Sequence, residues 1–240
     1  MKIIVTKNYE EMSREAAKIV LGVVKADPEA VLGLATGSTP IGMYREMIRD
    51  HEENGTSYRN VRTVNLDEYA GLDETSDQSY VYFMRKNLFD SLDIDRKNTN
   101  IENGKAADRE KECERYNALL HEMQQSVQVL GIGSNGHIAF NEPGTPFGSE
   151  THIVDLTEST IRDNSRLFSR IEDVPRQAFT MGLKNIMNAK KIIILANGKN
   201  KAKAVYGLVK GPVTEQLPAS VLQLHPDCTV VVDEEAASLL

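Results

Sequence analysis

Cysteine is scarce, positive charge is outnumbered, and long apolar runs are missing from this 240-residue chain. Each shortage excludes something. The two cysteines, Cys113 and Cys228, lie far apart and in no metal-like spacing. That rules out a disulfide framework and a cysteine-based zinc site, and two free, reduced thiols are expected. Lys and Arg number 28 against 35 Asp and Glu, a formal charge of -7 with a sequence pI near 5.4. Such a balance sets the chain against nucleic acid and anionic membranes. No stretch approaches the ~20 apolar residues that a membrane helix needs. The opening MKIIVTKNYEEM holds one apolar run too short for a signal-peptide core. A cytoplasmic location is the expectation. Repeats, low-complexity tracts and linkers rich in Pro, Gly or Ser are also missing, so residues 1–240 are expected to form one domain.

What is present is ordinary globular composition, 40% hydrophobic and 26% charged, in a chain long enough to bury a sizeable core. Residues 2–6, 30–35, 61–66, 127–132, 191–196 and 228–232 read as short apolar strands. A further short strand is expected over 152–156. Helical spacing marks 9–25, where Met12, Ala16, Ile19, Val20 and Val23 recur, until Asp27-Pro28 breaks it. Helices are also expected after Pro40 and over 78–89, 108–124, 158–168, 176–188 and 200–209. Strands alternating with helices indicate an α/β, three-layer sandwich around a mainly parallel, Rossmann-like sheet. Ligands of such sheets sit at the carboxyl ends of the strands.

Three segments follow strands directly. The first is Thr36-Gly37-Ser38-Thr39-Pro40. Gly37 allows close backbone approach, Ser38 and Thr39 offer hydroxyls, and Pro40 suits a first helical position. The segment reads as an anion cradle at a helix N-terminus, or equally as a capped helix start. It lacks the Gly-Lys-Ser/Thr ending of a Walker loop. The second segment, Asn65-Leu66-Asp67-Glu68-Tyr69, ends a strand with two adjacent carboxylates that point to different sides. One of them suits a general base, or a turn or cap. The third, Gly131-Ile132-Gly133-Ser134-Asn135-Gly136-His137, continues to Glu142-Pro143-Gly144. It matches G-x-G-x-x-G, but Pro143 and Gly144 leave too little room for the helix that a dinucleotide site requires. It reads instead as a glycine turn presenting His137, with Asn135 and Glu142 near enough to orient the imidazole.

Together LATGSTPIGMY (34–44), NLDEYAGL (65–72), GIGSNGHIAFNEPG (131–144) and TIRDNSR (160–166) resemble the glucosamine-6-phosphate deaminase family. GKNKAKAV (198–205) and LPASVLQLH (217–225) add weaker matches in the same order. The resemblance implies an enzyme of amino-sugar catabolism that turns glucosamine 6-phosphate into fructose 6-phosphate and ammonia without metal or cofactor. It implies that Asp67 moves a proton between C2 and C1 of the open-chain sugar, and that His137, supported by Asn135 and Glu142, opens the ring. It also implies phosphate binding by Gly37, Ser38, Thr39, Arg166 and Lys201.

Two departures stand out. Many family members carry Asp at the position of Asn135, which removes one negative charge beside His137. The chain also ends at Leu240, and Glu150 stands where an arginine is common. Allosteric activation by N-acetylglucosamine 6-phosphate is therefore not expected, and a monomer or small homo-oligomer is. A 6-phosphogluconolactonase-like esterase, a non-catalytic sugar-phosphate sensor domain and a galactosamine-6-phosphate deaminase are the rival readings.

Overall fold

A computed structural model describes residues 1–156, 161 and 174–240. Seven strands form the central sheet, in the order β1-β10-β9-β6-β2-β3-β5. They are β1 (Lys2–Thr6), β2 (Val31–Leu34), β3 (Arg62–Asn65), β5 (Thr99–Asn100), β6 (Val127–Gly131), β9 (Ile192–Ala196) and β10 (Cys228–Asp233), and every pair is parallel. Strands β2, β9 and β10 are buried throughout because helices cover both faces. Alternate residues serve opposite layers. Leu32, Leu34, Val127, Val129, Ile193 and Leu195 pack with α1 (Tyr9–Ala26), α2 (Ile41–Asn54) and α3 (Tyr80–Asn87). Leu130, Ile192, Ile194, Val230 and Val232 pack with α4 (Arg109–Glu122), α5 (Leu183–Met187) and α6 (Ala202–Lys210). Truncating one such side chain, Leu34→Ala for example, costs about 2–5 kcal/mol.

Local chemistry sets the helix starts. Asn8 caps α1 by accepting from the Glu11 N–H, and Asp108 caps α4 by accepting from Lys111. At the far end of α1 the Asp27 N–H returns to the Val23 carbonyl.

A second, three-stranded antiparallel sheet runs β4 (Asp67–Tyr69), β8 (Gln177–Thr180), β7 (His152–Asp155). It overturns the helix expected over 176–188. Gln177–Thr180 is extended and pairs with both neighbours, and only Leu183–Met187 is helical. The run QAFTMGLKNIM supports either period until Gly182, extended at φ -74 and ψ 166, divides it. Ala178 and Phe179 then enter two different apolar clusters, as alternation along a strand demands. Apart from Ile161, the helix expected over 158–168 lies outside the described residues, as does Arg166.

The centre of the main sheet positions the site. β2 and β6 are neighbours, and the chain leaves their carboxyl ends toward opposite layers. A crevice opens at such a switch point. No helix among the described residues is long and apolar enough to cross a membrane.

Candidate active site

The crevice is a cavity of about 300 Å³ lined by the loops after β2 and β6, by Asp67 and Tyr80, and by Lys201. Gly37, Ser38 and Thr39 form one wall, and Gly133, His137 and Phe140 form another. Residues scattered over more than 160 positions of sequence thus share one space.

The loop after β2 differs in detail from its expected form. Pro40 occupies the N-cap of α2, one place ahead of the first helical residue. The Gly42 N–H is already bonded to the Tyr9 hydroxyl at 2.7 Å, and Tyr9 donates to the Ser38 carbonyl at 3.0 Å. The N–H groups of Ile41 and Gly42 in the first turn of the helix are therefore already engaged within the protein. Gly37 has φ +89 with open space where a Cβ would stand, so its backbone angle, not crowding, calls for glycine. Tyr44 fixes the loop from below: its hydroxyl donates to the Ala35 carbonyl at 2.5 Å. Lys201 arrives on the short turn Lys199–Lys201 that opens α6. That turn is anchored where the Gly198 N–H donates to both Asp233 oxygens at 3.0 Å.

Asp67 starts β4, where its partner is Thr180. It is 6% exposed. Burial, and after it the charge of Glu68, push its carboxyl up to about 8. Glu68, the next residue, lines a different cavity with Glu102 and Arg85. The two adjacent carboxylates do face different ways.

His137 sits at the more open end, its side chain 30% exposed. Its Nδ1 lies 2.8 Å from Asn135 Oδ1, and Asn135 Nδ2 donates to Glu142 Oε2 at 2.7 Å. Glu142 Oε1 is 3.6 Å from the same Nδ1. An amide oxygen facing Nδ1 requires that nitrogen to carry the proton. Gly133 makes room for the ring, since a Cβ there would lie 2.3 Å from His137 Nδ1. The loop carries strain nearby: Ala139 has φ +52. Hydrogen bonds from Phe140 N–H to Thr180 Oγ1 and from Asn141 Nδ2 to the Met181 carbonyl hold that turn against β8.

Asp67, His137, Gly37, Ser38, Thr39 and Lys201 are therefore brought to one cavity, with Asn135 and Glu142 behind the imidazole. Tyr80, Thr36 and Phe140 also line it; Thr36 and Phe140 fall inside the singled-out segments without a role of their own, and Tyr80 lies outside all three. The signal available for Tyr80 was only its place after Ser79, the cap of α3. Among the described residues no group of three or more His, Cys, Asp or Glu side chains is arranged to hold a metal ion.

This chain matches the family described as glucosamine-6-phosphate isomerases/6-phosphogluconolactonase over residues 6–231. It belongs to that family. Among its relatives, a glucosamine-6-phosphate deaminase of Clostridium perfringens is 52% identical, with all of both chains covered. One from Thermoanaerobacter pseudethanolicus is also 52% identical, over all of this chain and 95% of its own length. A solved structure of a monomeric glucosamine-6-phosphate deaminase superimposes with a TM-score of 0.98 at 48% identity, covering both chains fully. The 6-phosphogluconolactonase of Trypanosoma brucei, at 21% identity and a TM-score of 0.81, covers all of this chain and 98% of its own. That likeness extends to the fold alone. Within the family, the chain sides with the deaminases by more than twofold in identity.

Proposed function

We propose that this protein is a glucosamine-6-phosphate deaminase, converting glucosamine 6-phosphate to fructose 6-phosphate and ammonia. One observation carries the reading: a buried carboxylate, an oriented imidazole and a phosphate-type loop with a lysine share one cavity. Full-length identity of about half to proteins of that name supports it.

The phosphate is held by Gly37, Ser38, Thr39 and Lys201, with Arg166 joining them. Binding energy gathered there positions carbons that react some distance away. His137, holding its Nδ1 proton toward Asn135, passes a proton between O5 and O1 through Nε2, and the ring opens. The new aldehyde acidifies the C2 proton. Asp67 removes that proton and returns one at C1, which leaves an imine at C2. Water adds to the imine, the C–N bond breaks, and ketose and ammonia leave. A base with its carboxyl near 8 is strong enough to take a carbon-bound proton and still returns it readily. Residues 1–240 act as one sugar-phosphate domain in this reading. The protein works as a monomer, as its solved relative does, and in the cytoplasm, which suits two unpaired, buried cysteines.

The test is incubation of the purified protein with glucosamine 6-phosphate, in parallel with galactosamine 6-phosphate and 6-phosphogluconolactone. Equal amounts of ammonia and fructose 6-phosphate from the first, lost in Asp67→Asn, are expected. Lactone hydrolysis without ammonia release would move the protein to the esterase branch. Binding without turnover would make it a sensor.

A further inference from the structure

Glu68 is buried, ionisable and unused by the mechanism above. It faces away from the substrate cavity, yet its carboxylate is heavily engaged. Oε1 accepts from the Tyr69 N–H at 2.8 Å and the Tyr80 N–H at 3.0 Å. Oε2 accepts from the Val81 N–H at 3.1 Å. Tyr80 and Val81 are the first two residues of α3, and Ser79 takes the next N–H, that of Tyr82. One side chain on β4 therefore ties down the start of a helix twelve residues away. A carboxylate is the natural partner of a helix N-terminus. The residue so fixed, Tyr80, lines the substrate cavity beside Asp67. Its ring lies parallel to Phe140 with centroids 6.3 Å apart, and packs on Tyr69 at 4.8 Å.

We propose that Glu68 is a positioning residue for the reaction: it clamps α3 so that Tyr80 forms the wall of the cavity next to Asp67, and sets its charge behind Asp67. The inference rests on the deaminase reading for the reaction it serves.

The charge half of the proposal depends on what else faces Asp67. Tyr44 from α2, Tyr69 on β4, Tyr80 from α3 and Tyr116 from α4 all do, and burial holds each of these phenols neutral. Glu102, before α4, is also pushed up by burial, toward its neutral form. His137 and Lys201 share the cavity. Burial pushes the Glu68 carboxyl up as well, to about 7, but three backbone donors favour its charged form and hold it below the value near 8 of Asp67, so Glu68 is ionised as Asp67 titrates. Its charge, added to burial, is what raises Asp67.

Two substitutions separate the halves. Glu68→Gln keeps the length and one acceptor oxygen but removes the charge. Glu68→Asp keeps the charge but is too short to reach α3. In Glu68→Gln the acid limb of kcat/KM against pH is expected to move to lower pH. In Glu68→Asp the limb stays, and kcat falls on the order of tenfold because Tyr80 is misplaced. Tyr80→Ala should reproduce that second loss and add little to it in the double variant. A readout without substrate runs beside these: the carbon-13 shift of the Asp67 carboxyl against pH, in the wild type and both variants. It should titrate lower in Glu68→Gln only. If the Asp67 titration is the same in all three proteins, the charge role is overturned. If Glu68→Asp keeps full kcat, the clamp is overturned. A wild type that turns over no glucosamine 6-phosphate would refute the deaminase reading instead, and the carboxyl titration would still decide on Glu68's charge.

Discussion

The two ends of the cavity are built on opposite terms. At one end Asp67 is enclosed, on a three-residue strand of the small antiparallel sheet, and its carboxyl rises to about 8. At the other end His137 is open to solvent and held by a chain of hydrogen bonds through Asn135 to Glu142. In the proposed mechanism the first group is made into a base by being dried. The second is made useful by being aimed. This division suits the two proton transfers. Taking a proton from carbon demands a strong base, whereas moving one between two sugar oxygens demands chiefly the right tautomer in the right place.

The contrast can be broken most severely at the dry end. Asp67→Asn should lower kcat/KM on the order of 10³-fold. The same change should raise the melting temperature. The sign follows from the buried carboxyl: its folded value near 8 stands above the roughly 3.9 of an unfolded chain. Its stabilising contribution is therefore full below about 4 and is lost as pH rises toward 8. The variant's advantage in thermal unfolding should widen from about pH 5 to pH 8 and level off above. A gap that is constant with pH would mean that Asp67 is not dried in the free enzyme.

At the open end His137→Gln should cost on the order of 10²-fold in kcat, less than loss of Asp67. Gly133→Ala sharpens the claim about aim. Its new Cβ, 2.3 Å from the imidazole, should turn the ring away. A loss of about tenfold in kcat is expected. KM should change little, because the loop after β2, which holds the phosphate in the proposed reading, is untouched. The smallest effect belongs to Asn135→Asp. An added negative charge beside Nδ1 favours the imidazolium, so the pH limb belonging to His137 should move upward. An unchanged pH profile would show that Glu142 already supplies all the charge the ring senses.

Much of this arrangement is legible in the sequence because it is local. The loops after β2 and β6 declare themselves through glycines that follow apolar runs, and His137 with Asn135 and Glu142 lies within eight residues. Asp67 is legible as a strand-end carboxylate, but its burial is not. That burial comes from β8, 110 residues later, whose run QAFT was read as part of a helix over 176–188. A strand of four residues carries too few alternations to prevail over a helical pattern beside it. Tyr80 was missed for a related reason. Its place in the cavity depends on the bond to Glu68, and no spacing rule connects a strand end to a helix start twelve residues on. The role of Pro40 was legible to within one residue, while the capture of the Gly42 N–H by Tyr9 was not, since Tyr9 comes from α1.

The most direct measurement is the wild-type profile of kcat/KM for glucosamine 6-phosphate from about pH 5 to pH 9, beside that of His137→Gln. A base prepared by burial predicts activity that climbs with pH to a midpoint near 8 in both proteins. Activity already level at about pH 5, as for an ordinary exposed carboxylate, would contradict it.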